Sequence, residues 1–197
     1  MELNLCWRGP IQSGNFPTDP DAVEFHNQAG IYLRAKLYEG GRTIAYVGQS
    51  GHLITRFDQH LTRILSLQQP LRDESGLVVD HGIAVDRFVA LNNAAAIGPV
   101  ALAEVLRTQF YFALALDGFD IDYLTLIEAM LKARAEEMMQ DQPENIQGIN
   151  PGDFDHDLII NSDFSNVDAV GRQLIESIIG ESPIEIAAAQ EYFADAD

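Results

Sequence analysis

The sequence predicts an α/β protein of the α+β kind, in which a β-hairpin, an aromatic strand and amphipathic helices share one core. Three observations carry this. Residues 30–48 hold two β-rich runs joined by turn residues, and residues 52–67 and 122–139 carry apolar side chains at helical spacing. At 47% hydrophobic and 21% charged over 197 residues, the chain has a globular composition and enough apolar surface for a real core.

In chain order, residues 1–25 are rich in Pro, Gly, Asn and Asp (Pro10, Gly14, Pro17, Pro20) and read as an extended N-terminal arm. Gly30 to Tyr38 alternates apolar with polar residues, Glu39-Gly40-Gly41-Arg42 supplies turn chemistry, and Thr43 to Gly48 is a second β-rich run. Leu53, Phe57, Leu61, Ile64 and Leu65 then mark a helix. Gln69-Pro70, Ser75-Gly76 and Gly98-Pro99 interrupt residues 66–106, where Leu77–Val79 and Arg87–Leu91 read as short strands and Val100–Leu106 as a short helix. Gln109–Leu116 has the aromatic content of a buried strand, and its Phe110-Tyr111-Phe112 cluster is assigned to the core. Asp122–Met139 is a helix with Asp120 or Asp122 as its cap. After the loop beyond Pro143 come a strand at His156–Ile160 and helices at Val167–Ile179 and Pro183–Phe193. The domain is thus drawn at residues 26–150, with residues 151–197 as an acidic C-terminal extension packed on it.

Charge and cysteine content narrow the classes. The net charge is −18, distributed as zero over residues 1–65, −8 over 66–150 and −10 over 151–197, so any polyanion site belongs to the first third. The single cysteine, Cys6, excludes an internal disulfide and a thiolate metal cluster. His156 with Asp153, Asp155 and Asp157 lacks the glycine and closing glutamate of a calcium loop and reads as a solvated acidic turn. No apolar run approaches the roughly 20 residues of a membrane helix, and no secretion signal opens the chain, so no membrane association and a cytoplasmic location are expected.

Gly30-Ile31-Tyr32, then Tyr46-Val47-Gly48, then Arg56 and His60 on the following helix, Glu128 on a later helix and Pro143-Glu144-Asn145 together resemble the GIY-YIG endonuclease family. The resemblance covers residues 28–147 and departs from the family in a swollen stretch at 66–106, read as an insertion. It implies a small, three-stranded, mostly antiparallel sheet flanked by helices. It also implies metal-dependent cleavage of phosphodiester bonds in DNA, with RNA as a further substrate to test. Tyr32, Tyr46, Arg56, His60, Glu128 and Asn145 would be the catalytic set, with Asn150 a second candidate for the asparagine; Gly48, Ser50, Lys36 and Arg63 would be substrate contacts, and Glu128 the ligand of Mg²⁺ or Mn²⁺.

The chemistry suits these residue types. Hydrolysis of a phosphodiester needs an oriented water and positive charge for the phosphoryl oxygens. Arginine is permanently charged and forked, and magnesium accepts one or two carboxylates while keeping several waters. Arg56 and His60 are four residues apart and share a helix face. Tyrosine, with an ordinary pKa near 10, is a base only with help from a cation. The sequence leaves open which tyrosine handles the water and whether His60 takes the proton. Weak intrinsic DNA affinity is expected, because the twelve Lys and Arg make few phosphate contacts; a locally positive face with Arg34, Lys36, Arg42, Arg56 and Arg63, or a basic protein partner, would compensate. The competing class is a non-catalytic, acidic interaction protein on the same scaffold, binding a basic partner or imitating nucleic acid.

Overall fold

The structure, a computed structural model, describes residues 1–82, 84–139 and 158–186. Its centre is the hairpin. Strands β2 (Gly30–Leu37) and β3 (Thr43–Ser50) pair antiparallel in the register Tyr32↔Gly48, Arg34↔Tyr46, with β1 (Glu2–Gln12) preceding them in the chain. Period-two geometry sends Tyr32, Arg34, Lys36 and Tyr46 to one face and Ile31, Leu33, Ala35, Ala45 and Val47 to the other. β2 has a strand on each edge and helices over both faces, and is buried on both.

Helix α1 (Pro20–His26) begins at Asp19, whose carboxylate accepts from the amides of Asp21 and Ala22, with Pro20 in the first turn. Helix α2 (Leu53–Leu65) turns Leu53, Phe57, His60 and Ile64 inward, spacings of four, three and four that form one stripe over the Tyr32 face. Then comes a small hairpin of β4 (Leu71–Arg72) and β5 (Val78–Asp80), whose Asp73 carboxylate accepts from the Ser75 and Leu77 amides and the Ser75 hydroxyl. Helices α3 (Ala84–Asn92) and α4 (Ala94–Arg107) follow. The expected short strand at 87–91 is therefore corrected to helix, and the break at Gly98-Pro99 is absorbed inside α4.

Strand β6 (Thr108–Leu114) pairs antiparallel with β2, and helix α5 (Leu124–Met138) buries Leu124, Ile127, Leu131 and Ala135 against the Ile31–Leu33–Val47 face. Asp120 caps the short 3₁₀ turn before α5 by accepting from the Asp122 amide. Strand β7 (Leu158–Asn166), helix α6 (Ala169–Ile179) and strand β8 (Ile184–Ile186) complete the described chain. The Asp168 carboxylate caps α6 through the Gly171 amide, and Gly180 ends it at φ 84°.

The resemblance's three-stranded sheet is corrected to a six-stranded one in the order β3-β2-β6-β1-β7-β8. The antiparallel trio β3-β2-β6 is its first half. The second half comes from the chain ends: β1 runs antiparallel to β6 and parallel to β7. Residues 2–12 are accordingly no arm; Leu3, Leu5 and Trp7 are core residues between two neighbouring strands. Part of the C-terminal segment is likewise integral, and residues 184–186 are strand rather than helix. The mixed class, α+β, stands as expected. The proposed loop at 143–150, the acidic turn at 153–157 and the remainder of the terminal helix lie outside the described residues, and no helix among those described is long and apolar enough to cross a membrane.

Candidate functional site

The polar centre of the molecule lies between β2, β3 and α2. Tyr32 is fully buried and Tyr46 half-buried; their rings stack 5.9 Å apart at 21°. The strand register puts Gly48 directly across from Tyr32, and a Cβ there would stand 2.5 Å from the Tyr32 Cζ and Oη and 2.7 Å from Tyr46 Cε1. The glycine of the second signature is thus a spatial requirement of the two phenols. Gly30, two pairs away, is also required for space, since a Cβ there would collide with the carbonyl oxygen of Ala113 on β6.

α2 lays His60 over both rings, 5.6 Å from Tyr32 and 5.2 Å from Tyr46 between centroids. Beneath them, Phe57 meets Tyr32 edge-on and stacks on Phe110 at 4.4 Å, which confirms the aromatic cluster of β6 as core. Polar contacts run through this packing in a line. Arg34 Nη1 lies 2.9 Å from His60 Nδ1 and donates to Gln69 Oε1 at 2.9 Å. His60 Nε2 lies 2.8 Å from Tyr32 Oη, which also accepts from Arg56 Nε at 3.2 Å. Arg56 Nη1 donates to Gln59 Oε1, and the Arg34 guanidinium sits 5.0 Å over the Tyr46 ring.

Burial controls the protonation of these groups. It raises the pKa of the Tyr32 phenol, with the Tyr46 ring adding to the effect and Arg56 and Arg34 opposing it. His60 is pushed down to about 2, first by burial and then by the cations Arg34, Arg56, Arg63 and Lys36, so its imidazole is neutral at physiological pH. The hydrogen bond to Tyr32 raises the pKa of Arg56, which stays charged and has no carboxylate partner among the described residues.

Of the sequence-predicted site residues, Tyr32, Tyr46, Gly48, Arg56 and His60 come together. Arg63 is exposed on the same α2 face as Arg56 and His60, two turns along from Arg56. Ser50 is occupied at the β3–α2 junction, where its hydroxyl donates to the His52 carbonyl and accepts from the His52 amide. Lys36 is corrected: it is 1% exposed and its ammonium is held by Glu104 of α4 at 2.8 Å, so it presents nothing to a substrate. Glu128 lies on α5, whose apolar side covers the opposite sheet face, and the cation beside it is Lys132, one turn on, at 3.0 Å. Asn145 and Asn150 fall outside the described residues.

A divalent cation would find a sparse donor set. No three His, Cys, Asp or Glu side chains converge on a metal-sized site among the described residues. Glu128 Oε1 faces Lys132, while Oε2 has no partner among the described residues. One carboxylate oxygen suits a magnesium-like ion that keeps its waters, and only that kind of ion. Sequence reasoning gave no role in the network to Gln69 and counted Arg34 only as part of a positive face. The signal for Arg34 was its place two residues after Tyr32 on a strand, which puts both on one face. No family model, curated protein or solved structure matches this chain.

Proposed function

We propose that this protein hydrolyses phosphodiester bonds in DNA at the Tyr32–Tyr46–Arg56 cluster. One observation carries the reading. Arg56, a permanent cation without a carboxylate partner among the described residues, is fixed at its Nε by a buried phenol and sits beside the half-buried Tyr46. In a chain of net charge −18 its charge is not taken up by a carboxylate among the described residues, and a phosphate is the anion its forked donors match.

Arg56 binds the non-bridging phosphoryl oxygens through the N–H donors it does not give to Tyr32 and Gln59, and stabilises the charge that gathers there as water adds to phosphorus, passing its proton to solvent, and the displaced oxygen leaves and takes up a proton. Tyr46, half-buried at the sheet edge, orients the attacking water; Arg63, further along α2, adds positive charge for the strand. The resemblance makes Glu128 the residue that would hold Mg²⁺ or Mn²⁺, whose chemistry would be to neutralise the leaving oxygen; it lies on α5, which packs on the opposite sheet face, and is not among the residues that cluster around Tyr32. Order of motifs and donor chemistry support this reading, and the resemblance to GIY-YIG endonucleases agrees with it.

The test is incubation of supercoiled plasmid with the protein and Mg²⁺ or Mn²⁺, beside Arg56→Ala and Glu128→Ala. Nicking that falls at least about 100-fold in Arg56→Ala is expected for loss of a transition-state cation. Equal background in all three proteins, repeated with labelled RNA, would turn the assignment toward an acidic interaction protein.

A further inference from the structure

The partners of His60 fix where its proton resides, and that settles the role of each group around Tyr32. Arginine has five N–H donors and no acceptor. Arg34 Nη1, 2.9 Å from His60 Nδ1, therefore donates, and Nδ1 must be the bare nitrogen. A neutral imidazole with a bare Nδ1 carries its hydrogen on Nε2, which faces Tyr32 Oη at 2.8 Å and so donates to it. Arg56 Nε donates to the same oxygen at 3.2 Å. Both acceptor positions of the phenol oxygen are then filled from within the protein, and its own hydrogen is left without an acceptor among the described residues.

Resting on the function proposed above, we infer that Arg34 is a positioning residue that locks His60 in its Nε2–H form, so that Tyr32 keeps its own hydrogen and His60 serves as no base. The Tyr32 oxygen, fully buried and fed by two donors, acts as the acceptor that holds the Arg56 guanidinium in place. His60 has no lone pair to offer a water: Nδ1 is taken by Arg34, with the Gln69 amide nitrogen a further 3.4 Å neighbour, and Nε2 bears the hydrogen. The low basicity of His60, imposed by burial and by the surrounding Arg34, Arg56, Arg63 and Lys36, agrees with this. Orientation of the water then belongs to Tyr46, the half-buried tyrosine of the pair. Arg34 acts only through His60, as the outer partner that fixes the tautomer of an inner one.

Long-range ¹H–¹⁵N correlation on ¹⁵N-histidine protein reads the tautomer directly, with His60→Gln assigning the signal by its disappearance. At pH 7 the wild type is expected to show Nε2 protonated and Nδ1 bare. A protonated Nδ1 or a charged ring would overturn the inference with no further variant needed. Arg34→Met removes the donor and is expected to give a mixture of tautomers, whereas Arg34→Lys retains a donor and the Nε2–H form; an unchanged single tautomer in Arg34→Met would remove Arg34 from the role. Cleavage provides the second arm. Glutamine at position 60 has an oxygen to accept from Arg34 and an amide to donate to Tyr32 without binding a proton, so His60→Gln should nick plasmid at least about tenfold faster than His60→Ala. A loss of about 100-fold or more, equal to that of His60→Ala, would make His60 a base. The spectroscopic arm stands even where no protein cleaves, in which case the function fails and the tautomer result is judged alone.

Discussion

Gly48 decides how close two phenols and a guanidinium come to one another, and it does so by having no side chain. A methyl group at that position would lie 2.5 Å from Tyr32 Oη and 2.7 Å from Tyr46 Cε1. Neither neighbour yields easily: Tyr32 is wedged between Phe57 and His60, and Tyr46 is held under Arg34. Gly48→Ala should therefore behave as overpacking, at a cost of about 1–3 kcal/mol. In a chain of this size that lowers Tm by roughly 2–4 °C for each kcal/mol. Nicking should drop further than stability explains, since Tyr32 holds Arg56 in place and Tyr46 is the residue proposed to orient the water. Differential scanning calorimetry with unchanged Tm and unchanged nicking would show the phenols free to move aside.

Strand β2 shows what periodicity tells and what it leaves out. Alternation places Tyr32, Arg34 and Lys36 on one face, and that much was legible in the sequence; what covers each of them depends on which element crosses overhead. α2 covers Tyr32 and part of Arg34. α4, from the stretch that resisted sequence reading, covers Lys36 and supplies Glu104, which is fully buried, holds the Lys36 ammonium at 2.8 Å and accepts from the Tyr38 hydroxyl at 3.1 Å. Glu104→Ala removes the buried carboxylate that holds the Lys36 ammonium and faces Arg107, and should cost about 3–5 kcal/mol, while the pair Lys36→Met with Glu104→Leu should recover most of that loss. Chemical denaturation of the three proteins measures it, and a double variant as weak as the single one would assign the cost to lost shape instead of lost charge. The hairpin, α2, β6 and α5 were readable because turn residues and amphipathic spacing are local signals. β1 was misread because Gly9, Pro10 and Gly14 obscured the alternation Leu3, Leu5, Trp7, whose burial is supplied by β6 and β7, more than one hundred positions away in sequence. The tautomer of His60 was out of reach for a related reason: its partners Arg34, Tyr32 and Gln69 meet only after folding.

Across the whole molecule, a strong acidic field surrounds a small cationic site, and the two respond oppositely to salt. The net charge is −18, and Arg8, Lys36, Arg107, Lys132, Arg134 and Arg172 are already spent on carboxylates within the fold. Long-range repulsion of DNA acts over the Debye length, about 30 Å at 0.01 M and about 8 Å at 0.15 M salt. Local attraction at Arg56 and Arg63 acts at contact and weakens with salt by a log–log slope of about −0.9 for each phosphate neutralised. Repulsion is thus screened first. At limiting DNA and fixed metal concentration, the nicking rate should rise between about 10 and 150 mM salt and only then fall, with a slope no steeper than about −3 for so few contacts. A basic nuclease surface gives the opposite profile, a steep decline from the lowest salt onward. Initial rates of plasmid nicking across that range distinguish the two, and a monotonic decline with a slope near −6 would mean that DNA is held by a positive surface other than the Arg56–Arg63 face of α2.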